Sequence, residues 1–299
     1  MYFILGSQLI WGIAGPLVKI ILETIPPFSL MYLRFLFASI ILFLIYELKL
    51  VHQTPVATSD DRKNIFLAGF FGVFLNIFFY FWAQTMTTVT DAWVIASTGT
   101  LFVVGLSYFW LGVRLSIIVY LGVGLAFLGT LTVMGSSITQ FGKGGFLGNF
   151  LMLLAVFSGA ISFFYTKKVI NKFSALTLTF WWFLIGLIFS FPLFLWDYFK
   201  NPGWMTQIKL SDLGILTYIV LGSSIGAYYL SNLGLKTLSP SLAATLGYTS
   251  SIIAIGLSIL FLGERPTHFF LVGSVFIIIG LFLAETRHPG HPIHKLLRK

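Results

Sequence analysis

Most charged residues in this chain fall in short intervals between long apolar runs. Ten runs come close to the roughly 20 residues that a spanning helix needs. They cover 2–22, 28–47, 65–85, 89–112, 115–134, 146–166, 175–196, 212–232, 239–262 and 267–284. The intervals carry turn chemistry: Pro26-Pro27, HQTPVATSDDRKN at 52–64, GSSITQFGKGG at 135–145 and KNPGWMTQ at 200–207. The pattern predicts an all-α integral membrane protein with ten transmembrane helices. The run from Tyr2 has no basic leader and contains Trp11, Pro16 and Lys19. It is expected to be a retained first span and not a signal peptide.

The chain also matches itself at a displacement of 151 residues. Ala92 falls on Ala243, Thr98 on Thr249, GLS at 105–107 on GLS at 256–258, Gly122 on Gly273 and Gly129 on Gly280. The stretch LGVRLSIIV from Leu111 falls on LGERPTHFF from Leu262. These matches predict a duplicated five-helix unit. Because five is odd, the second unit enters the membrane from the opposite side, which gives two inverted repeats of the kind found in secondary transporters. The expected organisation is a first repeat at 1–136, a second at 145–285 and a basic cytoplasmic tail at 286–299.

Composition agrees: 58% of residues are hydrophobic, 33 are Phe and 9% are charged, against about 25% charged in soluble domains. A water-soluble core could not hide that much apolar surface. With no cysteine, disulfides and thiolate metal sites are excluded. The net charge of +9 sits mainly in short intervals and the tail, so it points to anionic membrane lipids and not to nucleic acid. With the N-terminus inside, 12 Lys and Arg fall on the inner face and 4 on the outer. This bias predicts both termini cytoplasmic.

At this level the sequence resembles the drug/metabolite transporter superfamily in its EamA-type branch. The resemblance rests on the five-plus-five spans, Trp11-Gly12, Pro26-Pro27 followed by Leu33-Arg34-Phe35, LKTLSPSLAATL at 235–246, Leu262-Gly263-Glu264 and GSVFIIIG at 273–280. It implies a central cavity lined mainly by spans 1, 3, 4, 6, 8 and 9, with small organic metabolites as cargo. Val113 stands where Glu264 stands in the second copy, so any carboxylate role passes to Glu264 alone.

Charged residues in or beside spans are costly and call for an explanation. Lys19, Glu23, Arg34, Asp91 and Glu264 all fall in the expected outer half. One reading is an outer gate in which Arg34 pairs with Glu264 or Asp91. The other is an i,i+4 pair of Lys19 with Glu23, Arg34 reaching the headgroups, and Glu264 anchoring a loop. Pro16 beside Gly15 predicts a kink in span 1, either a hinge or a static fit. Polar stripes at helical spacing mark a candidate pocket. They run through Gln8 and Trp11; Asn76, Tyr80 and Gln84; Ser158, Ser162 and Tyr165; and Ser224, Tyr228 and Asn232. Ser97 with Thr100 and Tyr248 with Ser251 extend them on spans 4 and 9. The expected substrate-binding residues are Trp11, Asn76, Tyr80, Ser97, Ser162, Tyr228, Asn232 and Tyr248, although small hydroxyl residues at this spacing also serve helix packing.

No Asp, Glu or His lies near the middle of any span. That pattern points to a neutral or zwitterionic substrate, carried by diffusion or exchange or coupled to protons through Glu264 alone. His288, His291 and His294 are separated by prolines and predict a solvated tail, not a metal site. No phosphate loop, nucleophile set or cofactor motif is present. A membrane-embedded enzyme acting on lipid-linked substrates is the competing reading, but it would carry His, Asp and Glu clusters at the membrane surface. The expectation is a secondary transporter, as a monomer or weak homodimer, with a small-molecule substrate and no cofactor.

Overall fold

The computed structural model describes residues 1–47, 57–99, 101–103, 105, 106, 117–138, 145–238 and 240–286. Leu111 to Arg114, Thr100 and the histidine-bearing tail lie outside the described residues. Within them the chain is helical, without a strand. The helices are α1 (Tyr2–Ile21), α2 (Pro27–Glu47), α3 (Ser59–Gln84), α4 (Val89–Ser97), α5 (Ile117–Ile138), α6 (Gly145–Val169), α7 (Ala175–Lys200), α8 (Leu210–Thr237), α9 (Pro240–Phe261) and α10 (His268–Thr286). Seven are long and apolar enough to cross a membrane, and shorter apolar helices run over Val89–Val103, Leu246–Phe261 and His268–Leu283.

Several helices outrun their apolar stretch because caps, not hydropathy, set their ends. Helix α3 begins at Ser59 and not near 65. Thr58 accepts from the Asp61 N–H at 3.2 Å while the Asp61 carboxylate accepts from the Thr58 N–H at 3.3 Å. This capping box holds a polar first turn in helix. Helix α7 starts on a Ser174 cap, whose hydroxyl accepts from the Thr177 N–H at 3.0 Å. Helix α8 runs on to Thr237, five residues past the expected end.

Large apolar side chains stand exposed around the periphery. They include Leu121 and Leu128 on α5, Ile188 and Phe191 on α7, and Ile278 and Phe282 on α10. A surface of that kind is stable against lipid and not against water. The molecule is a multi-pass membrane protein.

The main helix contacts are α1 with α8 and α9, α2 with α7 and α8, α3 with α6 and α7, α4 with α6 and α9, and α5 with α10. Exchanging each of the first five helices with the one five places later leaves this set unchanged. Helices α5 and α10 run antiparallel, with Gly129 against Gly273 and Gly122 against Gly280. A Cβ on Gly273 would come within 2.6 Å of the Gly129 carbonyl oxygen. These glycines therefore let two backbones meet where the hydrophobic effect provides no drive.

Both α3 and α8 contain a π-helical turn, at Phe70–Leu75 and Tyr218–Gly226. Displaced by 151 residues, the first falls on 221–226, inside the second. A π turn leaves carbonyls poorly placed for their own helix, and in lipid these need other donors. Ser158 and Ser162 of α6 donate to the carbonyls of Phe71 (2.6 Å) and Ala68 (2.8 Å). Trp11 of α1 donates from Nε1 to the Ser223 carbonyl at 3.0 Å. Gly72 makes the α3–α6 contact possible, since a Cβ there would lie 2.1 Å from Ser162 Oγ.

Candidate functional site

A cavity of about 440 Å³ lies among the helices, within the range usual for small-molecule sites. Its walls come from α1, α3, α4, α6, α8 and α9, with Arg34 added from α2. Of the residues expected to bind substrate, Trp11, Asn76, Tyr80, Ser97, Tyr228 and Tyr248 line it. The Trp11 ring meets Tyr228 edge-on at 5.4 Å, and Tyr80 meets Trp93 edge-on at 6.3 Å. These pairs give the cavity two aromatic corners. Asn76 donates from Nδ2 to the Ala155 carbonyl on α6 at 2.7 Å, which fixes its amide at the wall.

Ser162 and Asn232 are placed elsewhere. Ser162 is committed to the α3 carbonyl of Ala68. Asn232 donates to Thr179 Oγ1 on α7 at 3.2 Å and is buried there. On α6 the cavity face is the stripe Met152, Ala155, Val156, Gly159, Ala160 and Phe163, not the serine stripe, which turns to α3. On α8 the wall residue after Tyr228 is Ser231, three positions on.

Arg34 and Glu264 are not paired in this structure. Arg34 is 4% exposed and lines the cavity. Its Nε donates to Ser224 Oγ at 2.7 Å and its Nη2 lies 3.5 Å from Ser223 Oγ, while its guanidinium stands 5.8 Å from the Phe81 ring centre. Glu264 instead accepts from the backbone N–H groups of Val89 and Thr90, both at 2.8 Å, and from the Thr90 hydroxyl. Gly263, with φ at +65°, turns the chain at the end of α9 and presents Glu264 to the start of α4. Glycine is suited to that left-handed cap.

Lys19 and Asp91 belong to the same end of the molecule. Lys19 donates from Nζ to the carbonyls of Gln84 (2.6 Å) and Thr87 (2.7 Å), and Asp91 sits in the first turn of α4. The α3–α4 turn is thus held by a cation at the C-terminal end of α3 and a carboxylate at the N-terminal end of α4. Each charge complements the helix dipole it faces. At the opposite end Lys167 donates to the Leu235 carbonyl at 3.0 Å and Lys236 to the Phe173 carbonyl at 2.8 Å. Lys172 pairs with Asp61 at 2.6 Å. Gln84 and Leu235, which accept from Lys19 and Lys167, are themselves 151 positions apart.

Helix α1 runs unbroken through Pro16 from Tyr2 to Ile21. The tight packing of Gly15 seats Trp93, since a Cβ there would lie 2.5 Å from the indole Nε1. Trp93 and Arg34 are among the wall residues that the sequence did not place in the cavity. The available signal was Trp93 lying one helical turn before Ser97.

The chain matches the EamA-like transporter family over residues 1–135 and 146–286. It is 26% identical to an uncharacterized transporter of Archaeoglobus fulgidus, covering 94% of this chain and 95% of that one. It is 25% identical to the uncharacterized transporter YetK of Bacillus subtilis, over 94% and 83%. It is also 24% identical to the pseudopaline exporter CntI of Pseudomonas aeruginosa, over 93% of each. A solved crystal structure matches all of this chain and 98% of its own, with a TM-score of 0.62 at 17% identity. That last likeness is one of fold alone.

Proposed function

The chain belongs to the EamA-like transporter family, and from that premise we propose that it is a secondary transporter carrying a small neutral or zwitterionic metabolite by alternating access. The observation that carries this reading is the cavity, enclosed by helices of both halves and walled by aromatic and amide groups. Such groups replace a solute's water without binding it too tightly to release. In this reading the chain spans the inner membrane ten times, as two inverted five-helix repeats with both termini cytoplasmic. The paired π turns, the matching lysine contacts and the exchange-invariant helix pairing support that arrangement.

Lys19, Asp91 and Glu264 form the outer gate in this proposal, holding the α3–α4 turn closed while the cavity is reached from the end bearing Ile4 and Leu235. Pro16 is the hinge of α1. Export or exchange is the direction proposed, and CntI, which carries the name of an exporter, is in keeping with it.

The test is counterflow in proteoliposomes loaded with a mixed pool of small metabolites. Accumulation of a labelled solute against an unlabelled pool is the expected result. Chemical conversion of a pool member, or no counterflow with any solute, would overturn the reading.

A further inference from the structure

We propose that Arg34 is the docking group for a carboxylate on the transported solute. The proposal rests on the transporter reading above and names the chemistry of its cargo.

Among the described residues no acid pairs with the buried Arg34 guanidinium. The chain has nine acidic residues, and four of them are engaged elsewhere. Asp61 pairs with Lys172, and Asp197 accepts from the N–H groups of Phe28 and Ser29 at 2.8 and 2.9 Å. Asp212 accepts from the Lys209 N–H at 2.9 Å, and Glu264 caps α4. Asp91 stands at the α3–α4 turn, and Glu23, Glu47, Asp60 and Glu285 lie at or just beyond helix ends. Among the described residues no Asp or Glu lines the cavity, and the one side-chain ion pair is that of Lys172 with Asp61.

The two serine hydroxyls bonded to Arg34 take part of its donor capacity and none of its charge. The ring of Phe81 offsets part of the desolvation. An unpaired guanidinium taken out of water still costs several kcal/mol, where a neutral side chain would cost little. A planar fork of donors kept in a cavity wall matches the two oxygens of a carboxylate. Among the described residues Arg34 is the one Lys or Arg on that wall, which suits a singly charged carboxylate better than a doubly charged phosphate ester. The aromatic corners of Trp11 with Tyr228 and Tyr80 with Trp93 suit an apolar body, and their faces tolerate an ammonium group. The substrate class is therefore a small zwitterion that carries a carboxylate on an apolar or aromatic body, as an amino acid does.

The experiment uses the full chain in proteoliposomes and in detergent. A panel of small carboxylates is compared with the primary amide of each and with phosphate esters of similar size. Two readouts are taken, exchange and the shift of the thermal unfolding midpoint. The carboxylates are expected to exchange at least about tenfold better than their amides, the loss that follows when a buried charged group is left without its partner. Only they should raise the midpoint of the wild-type chain, a readout that needs no variant. Arg34→Gln should abolish the preference for carboxylate over amide, and Arg34→Lys should restore part of it. Equal treatment of carboxylate, amide and phosphate ester by the wild type would overturn the proposal. So would an unchanged preference in Arg34→Gln. Carboxylate-specific stabilisation without exchange of any solute would sink the transporter reading while leaving the docking role of Arg34 standing.

Discussion

Glu264 and Arg34 illustrate how one kind of residue, a charge in or beside a membrane segment, finds two different solutions. Glu264 is satisfied by backbone N–H groups at the start of a helix, which attract a carboxylate through both hydrogen bonds and the dipole. Arg34 is satisfied only in part, by two hydroxyls, and faces the cavity. Replacing Glu264 by Gln keeps the shape but loses the charge-assisted bonds. The expected loss is about 1–2 kcal/mol, read as a lower thermal midpoint in detergent. Because Arg34 and Glu264 share no partner in this structure, Glu264→Gln and Arg34→Gln should add to within about 0.5 kcal/mol when combined. A coupling clearly above that in the stability of the double variant would place the two in direct contact and return Arg34 to the gate.

At the level of the element, the π turns of α3 and α8 set how these two helices pack on their neighbours. Each depends on a neighbouring helix to satisfy its carbonyls, and α3 also depends on a missing side chain. Gly72→Ala would drive its Cβ into Ser162, whose Cβ and Oγ lie 2.7 and 2.1 Å from that position. We expect destabilisation of about 1–3 kcal/mol, typical of overpacking. Ser162→Gly should relieve part of it when combined with Gly72→Ala, although it removes the donor to Ala68. Thermal unfolding of both variants checks this, and a combined variant worse than the sum of the two would contradict the steric account. On α10, Gly273→Val should push α5 away through the Gly129 carbonyl and cut the yield of monodisperse protein more than Val275→Leu. Val275 is half exposed and meets lipid.

For the whole molecule, the charge count and the symmetry of the contacts make a joint prediction. Reporter fusions at Lys299 and within 201–207 should report opposite sides of the membrane, with Lys299 on the cytoplasmic side. If both report the same side, the second unit is not inverted. The lysine contacts then need another explanation, since Lys19 and Lys167 act at opposite ends of the bundle on carbonyls 151 positions apart.

The sequence alone determined the membrane class, the helical runs and six of the side chains that line the cavity. These follow from local quantities: apolar length and side chains repeating on one helical face. It did not determine where helices with polar starts begin, because the capping box at Thr58 outweighs hydropathy there. It also misplaced Ser162, which turns to the Ala68 carbonyl on α3, and Asn232, for which the reason lies in helix phase. A π turn inserts an extra residue and rotates the following face by about 100°. Steps of four also drift round a 3.6-residue helix, so Asn232 passes beyond the cavity to α7 while Ser231 faces it. The partners of Arg34 and Glu264 were open for a different reason. A charge in a span must be met by something, but whether by an acid, a hydroxyl or a bare helix terminus depends on which helix lies alongside. That choice is made by segments more than 170 positions away in the chain, and only the packed bundle brings them together.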